Sequence, residues 1–345
     1  MSSRNNSAKS YPAIEVHVTR GNLSESVHSV DALVLDSKGE LVAGFGNYEK
    51  VLTYPRSTIK MIQALYFVES GAFASYGLSA AHLSLACASH NGQKEHTELV
   101  LSWLDKIQLQ ESDLVCGPHI PYDERTAIEL IRKDQQPSRR HNNCSGKHSG
   151  ILSALKKEKI DFHHYGSYDH PLQKKFRQIL TETSGQRMDQ VPWGMDGCGI
   201  PTYAMTLTGM AKCLSFLNLN QPAHQDRHSA LKIIRESVLA EPFYIGGTND
   251  FCSDLLAASN GRFIMKAGAE GVYAGVFLEQ GYSFALKVRD GNSRASRVAV
   301  AKLLLAFQGL TESEFVKLSR HTEPLLKNYN GETIGKIFVP HPLIS

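Results

Sequence analysis

Arg56-Ser57-Thr58-Ile59-Lys60, opening onto the apolar run Met61–Val68, decides how the chain is read. Tyr54-Pro55 turns the chain just before it and Gly71 stops it, so the pattern predicts a helix from Ser57 to Glu69. Ser57 and Lys60 are three residues apart and share a face of such a helix. Ser57 also suits an N-cap, but a capping box wants Glu or Gln where this chain has Lys60. Ile59, Met61, Ile62, Leu65, Tyr66 and Val68 leave no polar face, which predicts burial. Burial and a helix N-terminus both disfavour a lysine's charged form, and a neutral lysine beside a serine can take its proton. That is a nucleophile and its base in outline. Ser153-Ala154-Leu155-Lys156 has the same spacing yet runs into Lys157-Glu158-Lys159, the pattern of a solvated helix end. Spacing alone therefore decides nothing, and the context has to.

The 345 residues, 42% of them hydrophobic, suffice for a large core. A formal net charge of +3, with Lys and Arg scattered, argues against nucleic acid or an anionic membrane as partner. Met1–Ser10 is polar and lacks a signal peptide's apolar core, and no later stretch is long enough to span a bilayer. Residues 1–12 read as a disordered tail, and 13–345 as a single domain. Six cysteines without disulfide-scaffold spacing fit a reduced, cytoplasmic protein.

Along the chain, residues 13–20 alternate like a strand, and Ala32–Asp36 and Glu40–Gly44 flank a hairpin turn at Ser37-Lys38-Gly39. A buried run, Leu83–Ala88, ends at the turn Ser89-His90-Asn91-Gly92. Helices are predicted at 94–109, 124–134, 149–158, 171–183, 206–217, 227–240, 251–258 and 293–308. Strands return at 262–266, 272–278, 282–288 and 333–339. Early and late strands around a helical insertion at about 94–258 predict an α+β fold, its antiparallel sheet built from both chain ends. Two stretches read as loops rich in functional side chains: His141 to Gly150, and Gly194 to Pro201.

Ser57-x-x-Lys60, Ser89-His90-Asn91 and Lys266-Ala267-Gly268 reproduce, in order, the S-x-x-K, S-x-N and K-x-G motifs of penicillin-recognising enzymes and β-lactamases. The chain departs from them at His90, where β-lactamases have Asp, and at Ala267, where they have Thr; no deacylating glutamate has a counterpart. At a finer level it resembles the class 3, rhizobial-type L-asparaginases, which share the serine β-lactamase-like fold. The resemblance spans about residues 14–340. It is carried by Arg56–Lys60, Ser89–Gly92, His141–Gly150, Asp196-Gly197-Cys198-Gly199-Ile200-Pro201 and Lys266–Gly271.

The resemblance implies a homodimer that hydrolyses L-asparagine through two Ser–Lys pairs, Ser57 with Lys60 and Ser89 with Lys266. It also implies a Zn2+ site of Cys144, Lys147 and Cys198, with His148 and Asp196 supporting it. On spacing, two cysteines 54 residues apart read as small buried apolar residues as readily as metal ligands. Arg56, His90, Asn91, Cys252 and Glu270 are candidates for reading the substrate. Two alternatives stay open: a glutaminase or other small-amide amidase, and a non-catalytic amino-acid- or zinc-binding protein.

Overall fold

Ile14, Val16 and Val18 are buried while Glu15 and Arg20 are exposed, and this alternation makes Ile14–Arg20 a strand. In the computed structural model, which describes residues 9–219 and 227–344, that strand pairs antiparallel with the long strand Leu23–Leu35. The chain separates into two compact units. A sheet unit comprises Met1–Thr58, Met205–Asn218 and Ala258–Ser345; a helical unit comprises Ile59–Ala204 and Leu219–Ala257. Within the span expected as one domain, the helical unit starts at Ile59 and excludes Met205–Asn218, which belong to the sheet unit.

In the sheet unit, nine strands among the described residues form one sheet. Its order is Leu325–Lys327, Thr333–Phe338, Ile14–Arg20, Leu23–Leu35, Tyr282–Val288, Val272–Phe277, Phe263–Gly268. Leu41–Phe45 pairs off this path with Leu23–Leu35, across the turn expected at Ser37-Lys38-Gly39. Both chain ends build the sheet, as expected for α+β. Helices Leu207–Ser215 and Ser293–Ala306 pack on it through apolar faces. One expectation is corrected: Lys9–Tyr11 belong to no tail but form a strand parallel to Ala43–Phe45, with Tyr11 stacked 5.1 Å from Phe45. Aromatic burial outweighs the polar residues that suggested disorder. Residues 1–8 lie outside the described part.

The helical unit is organised on Lys60–Glu69, whose Met61, Ile62, Leu65, Tyr66 and Phe67 are buried. It packs against Ser145–Glu158, Pro171–Ser184 and His228–Ala240. The expected helix start at Ser57 is corrected: Arg56–Ile59 form a 3₁₀ turn, and the α-helix begins at Lys60 with no side-chain cap. Thr58 closes that turn through its hydroxyl to Pro55 O, at 2.8 Å. Ser57 therefore does not act as the helix cap.

Both expected functional loops are partly regular. Ser145–Glu158 is helical from Ser145 on, with Cys144 at its N-cap position. Trp193–Met195 and Pro201–Tyr203 pair as a hairpin whose tip carries Asp196 and Cys198. Ser145–Glu158 is buried along its first eleven residues although Gly, Ser and Lys dominate them. Small residues make this possible. A Cβ on Gly146 would lie 2.3 Å from Leu85 O of the neighbouring helix, Ala80–Ala86. Ser149 and Ser153 return their hydroxyls to the backbone four residues earlier, and Trp103 Nε1 donates to Ser153 Oγ at 2.9 Å. The second S-x-x-K is therefore structural: Lys156 binds Ile107 O at 2.6 Å, and Ser153 is buried, not at a solvated end.

Candidate active site

Lys60 is the buried centre of the helical unit's polar interior. Its ammonium donates to Ala88 O, to Ser89 Oγ at 3.1 Å and to Cys144 Sγ at 3.1 Å. These acceptors come from two segments, the loop after Ala80–Ala86 and the head of Ser145–Glu158. The loop is anchored by Ser89 N to Ile245 O (3.0 Å), His90 N to Asn143 O (3.1 Å) and Asn91 N to Gly246 O (2.8 Å). Cys144 is held by its N–H to Asn142 Oδ1 at 2.9 Å, and the Asn143 side-chain amide is 3.2 Å from its sulfur.

Cys144 and Cys198, far apart in sequence, act on each other's protonation. A hydrogen bond from Cys198, with the charges of Lys60 and Lys147, holds the Cys144 thiol well below the usual thiol range although burial opposes this. The same bond, with burial, pushes Cys198 up. Lys147 Nζ donates to Cys198 Sγ at 2.9 Å. Burial works against the charge on Lys147, but Cys198 and Cys144 outweigh it and raise its pKa.

This donor set fits a soft divalent metal: one thiolate, one thiol and one amine converge, and a metal would displace the protons on the last two. His148 adds to the fit. Its Nδ1 lies 2.7 Å from Tyr165 OH, and its buried Nε2 has no hydrogen-bond partner among the described residues. Asp196, at the hairpin tip, acts on both Lys147 and Cys198 through its charge. Among the described residues, no group of three or more His, Cys, Asp and Glu side chains is arranged around a metal position, so the set depends on its lysine.

The sheet unit carries the remaining predicted residues. Lys266 is buried in Phe263–Gly268 and donates to Ala267 O at 3.0 Å. Two residues on, a Cβ at Gly268 would lie 2.6 Å from Pro55 O and 3.4 Å from Arg56 Cβ. Glycine is required there because the strand end lies directly against the turn that carries Ser57. Arg56, just before Ser57, has φ 53°, a left-handed conformation that costs a non-glycine residue about 1 kcal/mol and recurs at functional positions. Glu270 is exposed on the turn to Val272–Phe277, also left-handed at φ 61°. A cleft of about 480 Å³ in this unit, lined by Tyr11, Phe45, Arg289 and Pro340, includes none of the predicted site residues.

Residues 16–339 match the family model of L-asparaginase II. The chain belongs to the L-asparaginase II family. No curated protein matches this asparaginase-family chain. Among solved structures it is similar to a β-lactamase from Mycobacterium bovis, with 13% identity, a TM-score of 0.37, and 81% of this chain and 95% of that one covered.

For this family member the structure brings together Lys60, Ser89 and Cys144, and beside Cys144 it brings Lys147 and Cys198. Each expected Ser–Lys pair draws one residue from each unit: Ser57 and Lys266 from the sheet unit, Lys60 and Ser89 from the helical unit. His90 is not placed to read a substrate. It is fully buried, Nε2 is on Ser145 Oγ at 2.8 Å, and Nδ1 accepts from Gly92 N at 3.2 Å. Cys252 is likewise buried, at the second position of Phe251–Ala258. Asn91 is half-buried, its amide bonded to Gln93. Asn142, Asn143, Ser145 and Tyr165 support the site but carried no individual sequence signal. The Asn-Asn doublet in a run without apolar periodicity was the nearest hint.

Proposed function

We propose that this chain hydrolyses L-asparagine to L-aspartate and ammonia through an acyl-enzyme on Ser57. One observation carries the reading: in a chain of an asparaginase family, the buried Lys60 that follows Ser57 by three residues bonds Ser89 Oγ, the second serine of the motif set, at 3.1 Å. Ser57 Oγ attacks the side-chain amide carbon and its proton passes to Lys60. The carbon–nitrogen bond then breaks, and ammonia leaves with a proton relayed by Ser89 and Lys266. Water attacks the resulting ester, and aspartate departs as Ser57 regains its proton. Arg56 and Glu270 carry charges suited to the substrate's carboxylate and ammonium.

Cys144, Lys147 and Cys198 would hold Zn2+, which when bound supplies positive charge to grip the amino-acid end or order both segments. The attacking group is already a serine, so metal-activated water is not required. Replacing Cys144 and Cys198 by Ser is expected to remove bound zinc and weaken asparagine affinity; unchanged metal content by mass spectrometry rejects this assignment.

A cytoplasmic homodimer completes the proposal. None of the six cysteines is in a disulfide, in keeping with a reducing compartment. Ile120, Tyr122 and Ile131 are exposed around Glu124–Arg132, a helix with no buried residue, and such a surface suits a partner. Light scattering giving a monomer mass at assay concentration removes the dimer from the proposal.

The deciding experiment is ammonia release from L-asparagine by wild type and Ser57→Ala, with L-glutamine in parallel. Asparagine turnover lost in Ser57→Ala supports the proposal. Turnover that survives moves the nucleophile, and preference for glutamine changes the substrate; one methylene discriminates by only roughly 10–200-fold. No release from either amide rejects the enzyme reading.

A further inference from the structure

We propose that His90 is a positioning residue for this reaction, a strut that fixes Ser89 against Lys60 by tying its loop to Ser145 at the head of Ser145–Glu158. The inference rests on the reading of Ser89 as a proton relay.

The hydrogen bonds determine which ring nitrogen carries the proton. Ser145 Oγ already donates to Arg140 O at 2.9 Å, so in the 2.8 Å contact the hydroxyl accepts and His90 Nε2–H donates. Nδ1 is then the acceptor, as its 3.2 Å bond from Gly92 N requires. The ring has one donor and one acceptor, both used, and no capacity left for a substrate or a proton. Burial, then the neighbouring charges of His96 and Lys60, hold its pKa well below the ordinary histidine range. It lies 4.9 Å from His96 in a stack continued by Phe243, so it cannot swing away.

What this strut spans matters more than its burial. Lys60 bonds Ala88 O and Ser89 Oγ on one segment and Cys144 Sγ on the other. His90 and Ser145 are the next residues along those same two segments. The His90–Ser145 bond therefore runs beside the Lys60 contacts and, together with the backbone bond from His90 N to Asn143 O at 3.1 Å, sets the gap that Lys60 bridges. On its other side the loop is held by backbone bonds to Ile245 and Gly246. In a proton relay, a displacement of about 1 Å costs up to about 100-fold in rate.

The test uses His90→Ala, His90→Gln and Ser145→Ala in the full chain, compared with wild type. His90→Ala and Ser145→Ala are expected to lower kcat for L-asparagine about 10–100-fold with KM within about 3-fold, and the double variant to lose no more than the worse single one. His90→Gln, which keeps a donor and an acceptor, should recover part of kcat. An unchanged kcat in both alanine variants, or fully additive losses, overturns the inference. Should His90→Ala fail to fold, Ser145→Ala removes the same bond and leaves the ring in place. A crystal structure of Ser145→Ala gives an answer independent of activity. Ser89 Oγ should move out of hydrogen-bonding distance of Lys60, and an unmoved Ser89 overturns the strut even if wild type hydrolyses no asparagine.

Discussion

Lys60 Nζ donates to three acceptors, Ala88 O, Ser89 Oγ and Cys144 Sγ. To take the proton of Ser57 it must give up one of these donated bonds. Lys60→Met should have two effects. Loss of a general base lowers asparagine turnover by about 100–10,000-fold. Loss of the cation beside Cys144 raises its thiol pKa in metal-stripped protein, read as a shift of thiolate absorbance to higher pH. A thiolate titration that does not move would mean that Cys198 and Lys147 suffice to stabilise the Cys144 anion.

Two elements carry more of the site than their sequences suggest. Ser145–Glu158 begins with Ser, Gly, Lys and His, a weak helix-forming start on balance, so its first turn reads as loop in sequence, yet it packs against Ala80–Ala86 as helix. Tertiary packing stabilises it, as it does most helices. The packing leaves no room: a methyl at Gly146 would lie 2.3 Å from Leu85 O, a backbone atom that cannot rotate aside. Gly146→Ala should cost about 1–3 kcal/mol despite alanine's better helix propensity, seen as a lower urea midpoint with an unchanged slope. The 3₁₀ turn Arg56–Ile59 is the other such element. Apolar spacing cannot distinguish it from the first turn of an α-helix, which is why the helix was expected three residues early.

For the whole molecule, pH is the most direct probe. Burial depresses His82 and His96 to about 4, and His90 and His148 lie well below the ordinary value. All four are neutral in the folded chain, while in the unfolded chain they bind protons near pH 6.5. Protons are thus taken up on unfolding, and stability present above pH 6.5 is lost as pH falls toward 4, by up to about 1.4 kcal/mol per pH unit for each group. Urea midpoints should fall from pH 7.5 to pH 5, and His82→Gln should flatten that slope; a midpoint constant over this range refutes buried neutral histidines. The sequence by itself determined the α+β class, the helices of eight residues or more, most strands of the main sheet and the motif triplet. Each of these follows from periodicity, turn chemistry or residue type, which act within a few residues. Only the tertiary structure decided that Lys60 bonds Ser89 and Cys144, that the His90 ring bonds Ser145 and Gly92, and that a Gly-Ser-Lys stretch is a buried helix. These depend on which segments close on one another across 29 to 84 residues of chain, where burial and hydrogen bonding, not local pattern, set the outcome.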